Sequence, residues 1–113
     1  GDAGDDVLVG SYGDDTLDGG TGADTIYSGG GSDTIVLRVG DGGSTLAAAD
    51  TITDFTDGSD VLGMDDGLQY TDLTIAQSGS DTVISAGSEY LAILTGISIS
   101  VLSEADFTPV DIT

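Results

Sequence analysis

Residues 1–36 read GDAGDDVLV, GSYGDDTLD, GGTGADTIY and SGGGSDTIV, four successive nonapeptides. Their fourth position is always Gly (Gly4, Gly13, Gly22, Gly31) and their sixth always Asp (Asp6, Asp15, Asp24, Asp33). Their eighth is always aliphatic (Leu8, Leu17, Ile26, Ile35). A fixed period of this kind is the mark of a repeat architecture. The first six residues of each unit are turn-formers rich in Gly, which alone enters positive φ freely. The last three alternate as a short strand, so position eight points one way and positions seven and nine the other. A three-residue strand buries little by itself, but stacked turns join the position-eight side chains into one apolar ladder. With two nonapeptides per turn, Leu8 stacks on Ile26 and Leu17 on Ile35. The same 18-residue offset stacks Asp6 on Asp24 and Asp15 on Asp33. Carboxylates brought to strand spacing repel unless a cation lies between them, and Ca²⁺, which accepts several oxygens, suits carboxylates supplemented by turn carbonyls.

The rest of the composition points the same way. Of 113 residues, 21 are Asp or Glu and one, Arg38, is a strong base, for a formal charge of −20. At most one carboxylate is therefore expected to pair with the guanidinium, and another cation must offset the remainder in a compact chain. Nucleic acid is excluded as a partner, because binding it takes Lys and Arg to displace phosphate counterions, and an anionic membrane surface is excluded on the same ground. With no His, Cys or Lys, neither a Ser–His, Cys–His or Lys-based nucleophile nor a usual zinc, haem or iron–sulfur site can be assembled. Oxygen ligation of Ca²⁺ or Mg²⁺ remains. The length suits one domain, and 38% hydrophobic residues argue for a chain that folds conditionally on a cation rather than for disorder. No Sec-type signal peptide is visible, and the longest apolar stretches, such as Tyr90 to Leu94, are too short to span a bilayer, so no membrane insertion is expected.

The four units resemble the RTX nonapeptide, Gly-Gly-x-Gly-x-Asp-x-(aliphatic)-x, of hemolysin-type calcium-binding repeats. That resemblance implies an all-β fold, a right-handed parallel β-roll (calcium-binding solenoid) with a C-terminal β-sheet or sandwich cap. It also implies Ca²⁺ between successive turns. Carried over position by position, one site uses Asp2, Gly4 and Asp6 with Gly19, Thr21 and Asp24. A second uses Ser11, Gly13 and Asp15 with Ser28, Gly30 and Asp33. Asp2 and Ser11 stand in place of the second Gly and Ser28 in place of the first, which matters little where only a carbonyl is needed. Asp5, Asp14 and Asp18 fall at variable positions and are expected to be solvated.

Residues 37–113 drop the nonapeptide and are expected to form the capping β region. Within it, Asp50-Thr-Ile-Thr-Asp54-Phe55-Thr-Asp-Gly58-Ser-Asp60-Val-Leu62 resembles the segment that follows the repeats in serralysin-type proteases and related exported proteins. By that resemblance Asp50, and with it Asp54, would face the open ligand sets Gly20, Gly22, Asp24 and Gly29, Gly31, Asp33, making at least two Ca²⁺ and up to four. Strands are expected at Thr34 to Val39, Leu68 to Gln77, Asp81 to Ser85 and Ile97 to Leu102, with a hairpin turning at Ala86-Gly87-Ser88 and a closing turn at Ser103 to Phe107. The end Asp111-Ile112-Thr113 is similar to a short C-terminal secretion signal, so the cap includes a candidate signal for a type I secretion apparatus.

The leading expectation is a non-catalytic calcium-binding module of an extracellular protein, secreted or at the cell surface, that folds on Ca²⁺ outside the cell. It would be the C-terminal part of something longer, with upstream repeats or a passenger domain. The alternatives are a structural or adhesive surface-layer or adhesin segment, and the C-terminal module of a secreted hydrolase whose catalytic domain lies upstream; the Thr16, Thr25, Thr34 stripe is accounted for by β-propensity.

Overall fold

The alternating tail of each nonapeptide forms a strand: β1 (Val7–Val9), β2 (Thr16–Leu17), β3 (Thr25–Tyr27) and β4 (Thr34–Leu37). The computed structural model describes residues 4–10, 12–38, 43, 45, 48–55, 59–65, 67–87 and 89–110. β1 pairs with β3 in parallel, with Leu8 opposite Ile26, and β2 pairs with β4, with Leu17 opposite Ile35. Odd repeats therefore build one sheet and even repeats the other, at the 18-residue offset expected.

Both sheets run on past residue 36. β5 (Asp50–Ile52) lies parallel on β3, with Ile52 opposite Ile26, and β6 (Val61–Met64) lies parallel on β4, with Leu62 opposite Ile35. The offset lengthens to 26 and 27 residues, yet one bond recurs on every rung. The carbonyls of Asp6, Asp15, Asp24 and Asp33 accept from the N–H groups of Thr25, Thr34, Thr51 and Val61, each at 2.8 Å. The cap then departs from the roll. β7 (Leu73–Ser78), β8 (Asp81–Ala86) and β9 (Glu89–Leu94) form an antiparallel meander whose last strand lies parallel to β5. β10 (Phe107–Pro109) closes the other sheet, parallel to β6. The result is an all-β roll of two sheets, with strand orders β1-β3-β5-β9-β8-β7 and β10-β6-β4-β2.

The core lies between the sheets. Ile26, Ile35, Ile52 and Leu62, the inward residue of each internal rung, are fully buried, and Leu37, Phe55, Met64, Leu68, Ile84, Leu91, Ala92, Leu94 and Phe107 complete the cluster. Each such side chain contributes about 1.5–3 kcal/mol relative to exposure. Leu8 and Leu17, on the first rung, are only partly buried.

Three expectations for the cap are corrected. Ile97 to Leu102 is not a strand: Ile99–Val101 is a 3₁₀ turn. There the Gln77 Oε1 accepts the Ile99 N–H at 2.8 Å and the Ser98 hydroxyl oxygen accepts the Ser100 N–H. Such local side-chain acceptors compete with a strand ladder. The strand expected from Leu68 begins only at Leu73, because Tyr70–Asp72 is a 3₁₀ turn whose Asp72 carboxylate accepts the Gln69 N–H. The closing turn, Glu104–Asp106, leads straight into β10, where no strand was expected. The hairpin between β8 and β9 turns where expected, although Ser88 itself lies outside the described residues.

The invariant glycine of position four has two reasons on the internal rungs. Gly22 and Gly31 hold φ of +96° and +92°, and a Cβ on either would overlap the carbonyl oxygen of Gly4 or Gly13 in the turn beneath. Gly13 has the same backbone (φ +98°) with nothing within 4 Å of a Cβ. Gly13→Ala should therefore cost only the left-handed strain, about 1–2 kcal/mol. Gly31→Ala should cost about 1–3 kcal/mol more through overpacking. Urea unfolding midpoints of the two variants would show the difference; equal shifts would contradict the close stacking of turns.

Candidate metal centre

The turns between strands carry two columns of acids. The Asp6 N–H donates to Asp24 Oδ1 and the Asp15 N–H to Asp33 Oδ1, both at 2.8 Å. The pattern repeats one rung further: the Asp24 N–H donates to Asp50 Oδ1 at 2.9 Å and the Asp33 N–H to Asp60 Oδ1 at 3.0 Å. One column, Asp6–Asp24–Asp50, enters the larger sheet, and the other, Asp15–Asp33–Asp60, enters the smaller one. Each turn is thus fastened to the next by a main-chain donor and a carboxylate acceptor, a charge-assisted bond roughly twice as strong as a neutral one.

That bond uses one oxygen of each upper carboxylate. The Oδ2 atoms of Asp6, Asp15, Asp24 and Asp33 are buried and accept no hydrogen bond. Asp24 and Asp33 are each only 1% exposed. Burial pushes the Asp24 carboxyl above its ordinary range, against the hydrogen bond from the Asp6 N–H, and the charge of Asp6 adds to the rise. Burial does the same at Asp33, where the hydrogen bond from the Asp15 N–H opposes it and the charges of Asp60 and Asp15 reinforce it. A buried anionic oxygen without a partner is costly, and two stacked in each column form a demand for cations that the chain's described side chains do not meet. Its one base is committed elsewhere. Arg38 Nη2 lies 2.8 Å from Asp18 Oδ2 and 2.7 Å from Asp65 Oδ2, and its Nε lies 3.0 Å from Asp65 Oδ2.

Main-chain oxygens share the same space. A Cβ on Gly10 would overlap the Ser28 carbonyl oxygen and lie 3.0 Å from Asp15 Oδ2, and one on Gly19 would overlap Asp24 Oδ2. Among the described residues no group of three or more Asp and Glu converges as a metal site. Stacked carboxylates, with the Ser28 carbonyl oxygen beside Asp15, are an all-oxygen donor set of the kind that fits Ca²⁺.

The other sequence-derived candidates fall as follows. Asp2 and Ser11 lie outside the described residues. Gly4, Gly13, Gly22 and Gly31 occupy equivalent positive-φ turns, as do Gly20 and Gly29. Thr21 is exposed in its turn, and Gly30 lies under the Tyr12 ring, 3.1 Å from where its Cβ would be. Asp50 stands over Asp24 as outlined. Asp54 does something else: its carboxylate accepts from the Ser28 N–H at 2.7 Å, the Gly29 N–H at 3.0 Å and the Ser28 hydroxyl at 3.0 Å. Burial pushes its carboxyl up, but those bonds outweigh it and hold the group below the usual range.

Sequence reasoning missed Asp60, 1% exposed, on the rung above Asp33. Its signal was present, since Asp60-Val61-Leu62 repeats the Asp-x-aliphatic tail of a nonapeptide. Asp5 and Asp14 are exposed as expected, yet each accepts a main-chain N–H from the next turn, of Ala23 and Ser32, at 2.9 Å. Asp18 is not simply solvated, and the guanidinium serves two carboxylates rather than one. A cleft of about 450 Å³ lined by Met64, Leu68, Tyr70, Phe107 and Val110 contains no acid of either column.

Residues 1–35 match the family profile of the RTX calcium-binding nonapeptide repeat, in four copies. No curated protein matches the chain. Among solved structures, the AlgE6R3 subunit of the Azotobacter vinelandii mannuronan C5-epimerase is 22% identical, with a TM-score of 0.65, over 95% of this chain and 79% of that one. The extracellular lipase LipA from Serratia marcescens is 24% identical, with a TM-score of 0.61, over 92% of this chain and 19% of that one. Both likenesses show the shared β-roll fold.

The raised carboxyls set a pH dependence for the metal-free protein. A group whose folded pKa lies above its unfolded value, about 3.9 for Asp, stabilises the fold below that value. It loses the contribution as pH rises through the folded pKa. In chelator, strand content by far-UV circular dichroism should therefore grow as pH falls from about 7 toward about 4. Saturating Ca²⁺ should abolish that gain, and a loss of strand over the same interval in chelator would contradict it.

Proposed function

We propose, from the premise that residues 1–35 are an RTX calcium-binding repeat region folded as a β-roll, that the chain is a non-catalytic module whose repeats complete their fold on Ca²⁺. The observation that carries this reading is the set of four buried Oδ2 atoms that accept no hydrogen bond, stacked in two pairs, Asp6 with Asp24 and Asp15 with Asp33. Bound Ca²⁺ would supply the positive charge and the vacant coordination positions that those oxygens lack.

Two ligand sets are those carried over from the repeat, Asp2, Gly4, Asp6 with Gly19, Thr21, Asp24, and Ser11, Gly13, Asp15 with Ser28, Gly30, Asp33. Two more follow from the upper rungs: Gly20, Gly22 and Asp24 with Asp50, and Gly29, Gly31 and Asp33 with Asp60. In the last of these Asp60 takes the place first given to Asp54, because Asp60 repeats the stacking of Asp33 on Asp15. Asp54 then acts as the acceptor that holds the Ser28–Gly29 turn. Four ions would reduce the formal charge from −20 to −12.

Ligation of the native state alone stabilises it by about 2.7 kcal/mol per site at a hundredfold excess over Kd. In low calcium the acidic repeats would stay extended, which suits export through a type I apparatus, and extracellular calcium would then fold them. Among the described residues no helix is long and apolar enough to cross a membrane. The upstream passenger, the extracellular location and the use of the C-terminal end as a signal belong to the same proposal.

Calorimetric titration tests it through the sharing of carboxylates. Asp24 and Asp33 each belong to two sets and Asp6 to one, so Asp24→Asn or Asp33→Asn should remove two equivalents of Ca²⁺ and Asp6→Asn one. Absence of calcium-dependent heat in the folded chain, with repeats that keep their strands in chelator, would sink the reading.

A further inference from the structure

We propose that Arg38 is a built-in counter-ion that lets residues 34–110 keep their fold without calcium, so that the calcium requirement is confined to the repeats before it. The proposal rests on the calcium-binding reading above and concerns where in the chain that requirement ends.

Among the described residues, the buried carboxylate oxygens that lack a hydrogen bond are those of Asp6, Asp15, Asp24 and Asp33, all in the repeats. The buried acids further along are satisfied by the chain itself. Asp65, whose side chain is fully buried, receives the Nε and Nη2 of Arg38 on its Oδ2. Asp106 Oδ2 accepts the Ser103 N–H at 2.9 Å. Asp50 and Asp60 face the repeats, from which they accept the N–H groups of Asp24 and Asp33. If β1 to β3 unfolded, Asp50 would stand at the edge of β5 that β3 had covered and be solvated by water, while Asp60, beside β4, would still accept the Asp33 N–H.

Arg38 sits at the joint. Its pair with Asp65 ties the residue after β4 to the residue after β6, entirely within residues 34–110. Its pair with Asp18, a third exposed, reaches back into the repeats. Asp18 Oδ1 also accepts the Gly20 N–H at 3.0 Å. One guanidinium fork thus neutralises a buried carboxylate in the cap and offers a landing point for the preceding turn, a geometry that an ammonium does not reproduce. The apolar core is distributed in the same sense. Apart from Ile26, the buried members of the core cluster all follow Thr34, and Leu8 and Leu17 before it are only partly buried. The antiparallel β7–β8–β9 meander adds pairings local in sequence.

Hydrogen exchange on the full chain tests this. In chelator at pH 7, amides of β6, β8 and β9 should exchange at least about a hundredfold more slowly than those of β1, β2 and β3, and Ca²⁺ should then protect the latter. Arg38→Gln should erase the protection of β6 in chelator, because it leaves Asp65 buried without its cation. Arg38→Lys should restore it in part, and Asp18→Asn should leave it unchanged. Uniformly fast exchange of the wild-type chain in chelator would overturn the proposal, as would Arg38→Gln with wild-type protection. Repeats that stay protected in chelator would instead overturn the calcium-binding reading.

Discussion

Every turn of this roll is joined to the next by a main-chain N–H that donates to an Asp carboxylate 18, 26 or 27 residues further on. The bond solves one problem and creates another. It satisfies a donor at the mouth of a strand too short to secure itself, and it fixes the register so that Leu8, Ile26 and Ile52 share one column and Leu17, Ile35 and Leu62 the other. It also draws formal negative charges into stacks, where the second oxygen of each repeat carboxylate is shut away from water. The apolar ladder and the acid ladder are consequences of one register. Within the repeats each brings the other with it, and a stack of buried carboxylates calls for added positive charge. The demand for cations is in this sense a property of the strand pairing, not an ornament on it.

The roll and its register were legible because the period is short and each position does one job. Position four must be Gly for backbone and stacking reasons, position six must bear the carboxylate, and position eight must be apolar. What could not be read lay where the period breaks. Asp60 was hidden by an offset of 27 residues and by the nearer Asp54, which competes for the same role on sequence alone. β10 was hidden because it is a three-residue strand that pairs in parallel with β6 across 45 residues of sequence, and because Pro109 argues against a strand except at an edge. The strand expected at Ile97 to Leu102 has the apolar alternation but yields to acceptors on Gln77 and Ser98, which only the folded meander brings into reach.

The lone arginine illustrates a different limit. A composition of 21 acids and one base invites the thought that the base is incidental. Its placement shows the reverse: it serves the most buried acid of the cap, where an uncompensated charge would be most harmful. Composition sets how many such pairs can exist, but only the alignment of β4 with β6, which puts the residues that follow them side by side, determines which acid receives the pair.

The opposite end of the acid column carries its own consequence. Asp50 is matched on the next strand not by another acid but by Ala92, fully buried, and beyond β9 the pairing changes from parallel to antiparallel. A methyl group in the acid's place gives a further turn nothing to bind to, and the antiparallel β8 already fills the side of β9 that a further parallel turn would take. In the language of polymer growth, the C-terminal end is a terminator: turns of the repeat can be added or lost by duplication on the other side, while the number of rungs between the last nonapeptide and the stop stays fixed at one per sheet column.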